Sequence, residues 1–258
     1  MKKALIIARK DLSSYFYSWL GILIFVSFFA VTGVLFSVLM TSYARISADA
    51  IRNAYQNVES LQMTPFIFGS FFLNLGIIVM FLVPLISMKS FAEERNQQTT
   101  ELLFTYPLTD FDIVFGKFFG LIWFMGLLLL PTLGYLCIYL WLGGNLDIGP
   151  VFSGYIGLVL LTCAFLALGL FVSSLTGNTV ISALTTFSFL TLLWSLEWIA
   201  AITDGKWTHV IRYFSPLSHY REFTFGILDL SHIAYFVFFM LYFLFLSMRS
   251  VETRNWKK

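Results

Sequence analysis

The residues that could do chemistry are few and stand mostly outside the long apolar runs. The densest group is Phe91 to Pro107, FAEERNQQTTELLFTYP. Glu93, Glu94 and Arg95 open it, polar Asn96 to Thr100 follow, and Glu101 precedes Leu102, Leu103 and Phe104. Thr99 or Thr100 could cap a short helix, leaving the three apolar residues as a knob. Two readings stay open from the residues alone: an ordinary solvated charge cluster, or a knob on which a soluble partner pushes. Other titratable groups are scattered. His219 and Glu222 are spaced for one helical face, but two ligands do not close a metal site, and His209, His219 and His232 read better as interface histidines. Glu197 would be a functional acid if it lay deep in lipid. Trp194, Trp198 and Trp207 place it instead at interface depth, solvated or paired. Cys137 and Cys163 lie in apolar runs and read as small buried hydrophobes. There is no Gly-x-x-x-x-Gly-Lys-Ser/Thr phosphate loop, no His-Glu-x-x-His and no Gly-x-Ser-x-Gly, so any ATP hydrolysis belongs to another polypeptide, with ATP and Mg held there.

The elements that carry these groups are membrane spans. Of 258 residues 59% are hydrophobic and 12% charged, against about 25% charged in soluble domains. That deficit and the length of the apolar runs put the chain in a bilayer. A net charge of +2 with no basic stripe excludes a nucleic-acid surface. Residues 1–16 pattern as an interfacial helix, with Leu5, Ala8, Leu12, Tyr15 and Phe16 near one face and Lys2, Lys3, Arg9 and Lys10 on the other. A signal peptide fits less well, because the apolar run after Trp19 exceeds a signal core of about 7–15 residues. Six spans are predicted, near 18–41, 65–88, 112–142, 151–173, 179–201 and 231–248. A polar loop is expected at 42–64. Asn74 is expected to bond a neighbouring helix. Pro84 is expected to kink span two, and Pro131 to break span three. Asp110 and Asp112 favour a helix start. Residues 202–230 read as a helical hairpin dipping into the outer interface, broken at Ser215-Pro216 and softened at Gly226. Positive charge sets the sidedness. Lys2, Lys3, Arg9, Lys10, Lys89, Arg95, Lys117, Arg249, Arg254, Lys257 and Lys258 gather on one side, against Arg45, Arg52, Lys206, Arg212 and Arg221 on the other. Both termini and 91–107 are therefore expected in the cytosol.

With that topology, the order and spacing of the motifs resemble the type-2 ABC permeases, the membrane subunits of a class of ABC exporters. The matching positions are Phe91, Ala92, Glu93, Glu94, Arg95, Thr99, Glu101, Leu102, Leu103 and Pro107, with Gln98 where the family often has Gly. Tyr213-Phe214-Ser215-Pro216-Leu217-Ser218-His219 and then Gly226-Ile227-Leu228-Asp229 resemble its external hairpin, and Ala8-Arg9-Lys10-Asp11 its interfacial helix. The resemblance covers essentially the whole chain, as one membrane domain over 1–258. It is nearest the gliding-motility-associated permeases, with the nitrous-oxide-reductase maturation permeases a close relative. It implies an all-α protein of the bacterial cytoplasmic membrane, paired with a second, identical permease subunit and a dimer of ABC ATPase subunits. Segment 91–107 would be the coupling helix, with Leu102, Leu103 and Phe104 supplying buried area and Glu93, Glu94, Arg95 and Glu101 orienting it through rim charges. Tyr213, Phe214, Pro216, His219 and Gly226 would shape the external hairpin. Three other readings stand beside this one. A non-transporting transducer would act on a periplasmic or membrane-anchored partner through 42–64 and 202–230. A secondary transporter lacks a convincing internal repeat. An intramembrane enzyme lacks a catalytic pair at span depth.

Overall fold

A computed structural model describes residues 2–52, 65–96, 109–144, 146–202 and 206–255. All regular structure in these residues is helical, and six of the helices are long and apolar enough to cross a membrane. The first two are α1 (Lys2–Tyr17) and α2 (Trp19–Arg52). A π-helical turn, Pro65–Gly69, leads into α3 (Ser70–Ser87), and a second, Lys89–Glu93, leaves it, continued by a short turn Glu94–Asn96. Then come α4 (Asp110–Leu129), a 3₁₀ turn at Leu130–Thr132, α5 (Leu133–Trp141), α6 (Ile148–Leu175) and α7 (Thr179–Ile202). Two short helices, α8 (Lys206–Phe214) and α9 (Pro216–Thr224), precede α10 (Leu230–Asn255).

The bundle is built round α6. Its apolar window is 72% buried, against 17–22% for α2, α7 and α10, whose outer faces are exposed in the single chain. The α6 sequence carries small residues on several sides, so neighbours approach closely from more than one direction. Toward its start, a Cβ on Gly157 would strike the Phe223 ring of α9, and Ser153 donates to the Phe223 carbonyl at 2.8 Å.

Several local expectations change. Residues 42–52, expected to be polar loop, continue α2 to Arg52. Thr41 and Ser42 turn their hydroxyls back onto the Val38 carbonyl, Tyr43 is buried, and the Ala- and Arg-containing stretch has good helix propensity. Asn74 does not reach a neighbouring helix; its Nδ2 bonds the Ser70 carbonyl one turn back at 2.8 Å. It lines an otherwise apolar groove with Ala30, Val34 and Val38 of α2. Pro84 is buried inside a continuous α3, and the helical register changes only after it, at Lys89–Glu93. Pro131 does break the third span, within the 3₁₀ turn. Asp110 and Asp112 open α4, capped by the Thr109 hydroxyl.

Residues 206–224 form the expected helical pair broken at Ser215-Pro216, but α9 belongs to the bundle. Tyr220 and Phe223 are fully buried, and the Tyr220 hydroxyl donates to the Phe72 carbonyl at 2.6 Å. Gly226 ends α9 instead of softening it. Its φ of +92° allows a paired cap, Gly226 N–H to the Phe223 carbonyl and Ile227 N–H to that of Glu222.

Candidate functional site

The sequence-predicted site falls in two parts. Thr99, Glu101, Leu102, Leu103, Phe104 and Pro107 lie outside the described residues. Phe91, Glu93, Glu94 and Arg95 lie inside them, where α1, α3, α4 and the α6–α7 turn meet.

The junction starts with backbone chemistry. Where α3 gives way to the π-helical turn, amides lose their usual partners and need others. Ser173 of α6 supplies one: its Oγ accepts from both Phe91 N and Ala92 N, each at 3.1 Å. The Tyr15 hydroxyl of α1 donates to the Ile86 carbonyl at 2.9 Å, and Lys89 Nζ donates to Ser18 Oγ at 2.7 Å. Beyond the turn, Arg95 spreads its guanidinium over the end of α6. Nη1 donates to the Thr176 carbonyl and Nη2 to the Ser174 carbonyl, both at 3.1 Å. A cation there satisfies the carbonyls a helix end leaves open and opposes its negative dipole end.

A lysine holds the other side. Lys117 of α4 is 1% exposed. Its Nζ donates to the Ser90 carbonyl at 2.7 Å, pairs with Glu94 Oε2 at 2.7 Å, lies 3.6 Å from Asp11 Oδ2, and stands 5.0 Å over the Phe91 ring. Lys10, on the exposed side, reaches Glu94 Oε1 at 3.6 Å. Burial pushes the Asp11 carboxyl above the ordinary carboxylate range; the Lys117 cation opposes that rise and Glu94 adds to it.

α1 can stand this close because α4 presents glycines four residues apart. A Cβ on Gly116 would lie 2.9 Å from the Ala4 carbonyl oxygen and from Ile7 Cβ, and one on Gly120 would lie 3.2 Å from the Ala8 carbonyl oxygen. The buried stripe of α1 is accordingly Ala4, Ile7, Ala8 and Tyr15. Leu5 and Phe16, expected on the apolar face, point out.

The family model for the ABC-2 family transporter protein matches residues 5–252. The chain belongs to this family. No curated protein matches it. Membership makes the chain a permease subunit of an ABC transporter, a multi-pass membrane component whose family implies an ABC ATPase partner.

In this ABC-2 permease, two of the charges read as rim contacts for a partner are engaged within the chain. Glu94 faces Lys117, and Arg95 faces α6. Sequence reading missed Lys117, Ser173 and the Gly116/Gly120 pair. Lys117 counted only as one more positive charge near a loop. A lone lysine one residue after the first of two glycines four apart, in an otherwise apolar run, was the available signal. For Ser173 no comparable signal exists, because serines and threonines in spans usually bond their own helix, as Thr162 and Ser174 do here.

At the opposite end of α6, the hairpin residues of the permease come together differently from expectation. His219 pairs with His232: the two Nδ1 atoms are 2.7 Å apart. His219 Nε2 lies 3.0 Å from the Tyr213 carbonyl. A carbonyl can only accept, so Nε2 carries the hydrogen, and His232 Nδ1–H donates to the bare His219 Nδ1. The His219 ring stacks on Tyr235 at 4.0 Å, whose hydroxyl donates to the Phe214 carbonyl. Pro216 is the first residue of α9, Ser215 caps it, and Tyr213 and Phe214 stay exposed. Glu197 Oε2 is buried with no hydrogen-bond partner among the described residues. No group of three or more His, Cys, Asp or Glu side chains among them could hold a metal.

Burial lowers the His219 pKa from the ordinary imidazole value; the Tyr213 carbonyl opposes this and His232 adds to it. A group with a lowered folded pKa binds fewer protons folded than unfolded, so stability rises with pH in that window. The contribution is complete above about 6.5 and fades as pH falls below it. Thermal melts in detergent should show the midpoint falling from pH 7.5 to pH 5. His219→Gln should remove much of that acid slope; an unchanged slope would exclude the histidine pair as its source.

Proposed function

We propose that the chain couples ATP binding and hydrolysis on a separate ATPase dimer to export, or to other conformational work across the bacterial cytoplasmic membrane, through segment 91–107. Two identical copies pair in the bilayer, with both termini and the segment on the cytosolic side, and α8–α9 form the external hairpin. Within the family, the chain resembles the gliding-motility-associated and nitrous-oxide-reductase maturation permeases. The observation that supports this reading is the fastening of Phe91 to Arg95. A segment that receives force must be anchored where it leaves the bundle, and this one is tied to α1, α4 and α6 at once. Leu102, Leu103 and Phe104 then carry the contact area, with Thr99, Glu101 and Pro107 shaping the segment. Glu94 and Arg95 also hold the segment to the permease.

Leu102→Asp with Leu103→Asp tests it. Burying a leucine contributes about 1.5–3 kcal/mol, so losing two should weaken ATPase association by on the order of 100-fold or more. Co-purification of the ATPase with the wild type should be lost in the double variant. Equal recovery from both would reject 91–107 as the docking segment. ATP-free transport driven by an ion gradient would reject the ABC mechanism itself. Reconstituted vesicles separate export from transduction to an outer partner, because only the exporter moves cargo.

A further inference from the structure

Lys117 does more than pair with a charge. It is the only described residue that touches three parts of the junction through one atom. From α4, its Nζ meets the π-helical turn at the Ser90 carbonyl, the following turn at Glu94, and α1 at Asp11. The amine is almost wholly enclosed. Its ties are therefore not diluted by solvent as surface pairs are. The rest of the interface is apolar. α1 rests on Gly116 and Gly120 through Ala4, Ile7 and Ala8, and its Tyr15 and Phe16 rings pack against Phe124. Of the segment's other ties, Lys10 of α1 reaches Glu94 at 3.6 Å on the exposed side, and Ser173 and Arg95 run to α6 and its end. Tyr15 ties α1 to the end of α3, and Lys89, at the start of the π-helical turn, reaches Ser18 just past α1.

We propose that Lys117 is a positioning residue that locks α1, the start of segment 91–107 and the first turns of α4 into one body, so that a push on the segment is delivered to the N-terminal helix. The segment sits between two sets of ties. The Ser173 and Arg95 contacts hold it to α6, the most enclosed helix and the natural fixed frame. The Lys117 contacts couple it to α1, whose other face is exposed at Leu5 and Ile6. Without the lysine and its two carboxylates, the segment still moves against α6 and α1 follows it much less. This rests on the reading of 91–107 as the ATPase docking segment.

The test uses the full permease–ATPase complex in nanodiscs, with Cys137 and Cys163 replaced by serine or alanine. Two spin-label pairs are compared with and without a non-hydrolysable ATP analogue. One joins Asn96→Cys to Val159→Cys and reports the segment against α6. The other joins Ile6→Cys to Val159→Cys and reports α1 against α6. All three positions are exposed. The charge-free variant Asp11→Asn/Glu94→Gln/Lys117→Met removes the lock without leaving a buried charge unpaired, and Glu94→Gln alone is the milder second variant. In the wild type, nucleotide should shift both pairs. In the charge-free variant the ATPase should still co-purify and the Asn96 pair should still shift, while the Ile6 shift falls to half or less. Glu94→Gln should fall between. A full Ile6 shift in the charge-free variant overturns the proposal. So does an Ile6 pair that stays still in a wild-type complex whose Asn96 pair moves. Absence of any ATPase from the wild-type preparation overturns instead the docking reading beneath it.

Discussion

Lys117→Ala should lower stability by about 3–5 kcal/mol, the usual cost of removing one partner from a buried ion pair. The truncation takes from Glu94 its 2.7 Å cation, while the exposed Lys10 stays at 3.6 Å. It also leaves Asp11 buried beside another carboxylate, its pKa already raised by burial. The Ser90 carbonyl loses its donor and the Phe91 ring its overlying cation. For a chain of this size the melting midpoint should fall by roughly 10 °C. The comparison that isolates the cause is the charge-free variant with Asp11→Asn, Glu94→Gln and Lys117→Met. It keeps the volume and removes the unpaired charges, so its midpoint should lie within a few degrees of the wild type, as replacement of buried ion pairs by neutral groups often allows. A Lys117→Ala midpoint within 2 °C of wild type would mean that water reaches the junction and that the lysine holds nothing there.

Ser173→Ala is expected to open the start of the segment. Its hydroxyl oxygen is the acceptor for two buried amides, Phe91 N and Ala92 N, and both residues are at most 5% exposed. An alanine removes that acceptor from both donors, and a buried donor left without a partner costs about 1–3 kcal/mol. The loss falls on the π-helical turn, so hydrogen exchange across 88–95 should quicken by at least tenfold while α6 itself is little changed. Ser174→Ala is the control one residue away. The Ser174 hydroxyl bonds only its own helix, to Phe171 O at 2.6 Å, and it is the Ser174 backbone carbonyl that receives Arg95. That variant should leave exchange at 88–95 unaltered. Equal effects from the two serines would show that helix packing, and not the shared acceptor, holds the turn.

Much of the architecture was legible because the bilayer imposes it. Apolar runs of sufficient length have one stable form in lipid, so the six spans followed from composition. The breaks at Pro131 and Ser215-Pro216 followed from proline chemistry, and the family followed from motifs in a set order. Boundaries were less legible. Residues 42–52 are polar enough for a loop, yet back-bonded hydroxyls and good propensity carry α2 on to Arg52. Which way α1 faces was not legible either: its apolar residues cover more than one face, and only the glycine track on α4 selects Ala4, Ile7 and Ala8 over Leu5 and Phe16.

The sequence by itself determined that this is a six-span membrane protein with a charged segment between spans two and three, because hydropathy and charge are properties of residue types. The tertiary structure decided how those charges are used. Glu94 and Arg95 look like a surface pair when read along the chain, being adjacent and polar. In the bundle they part, one toward Lys117 and the other toward the end of α6. A buried charge and an open helix end each need a partner, and residues far apart in the chain supply them.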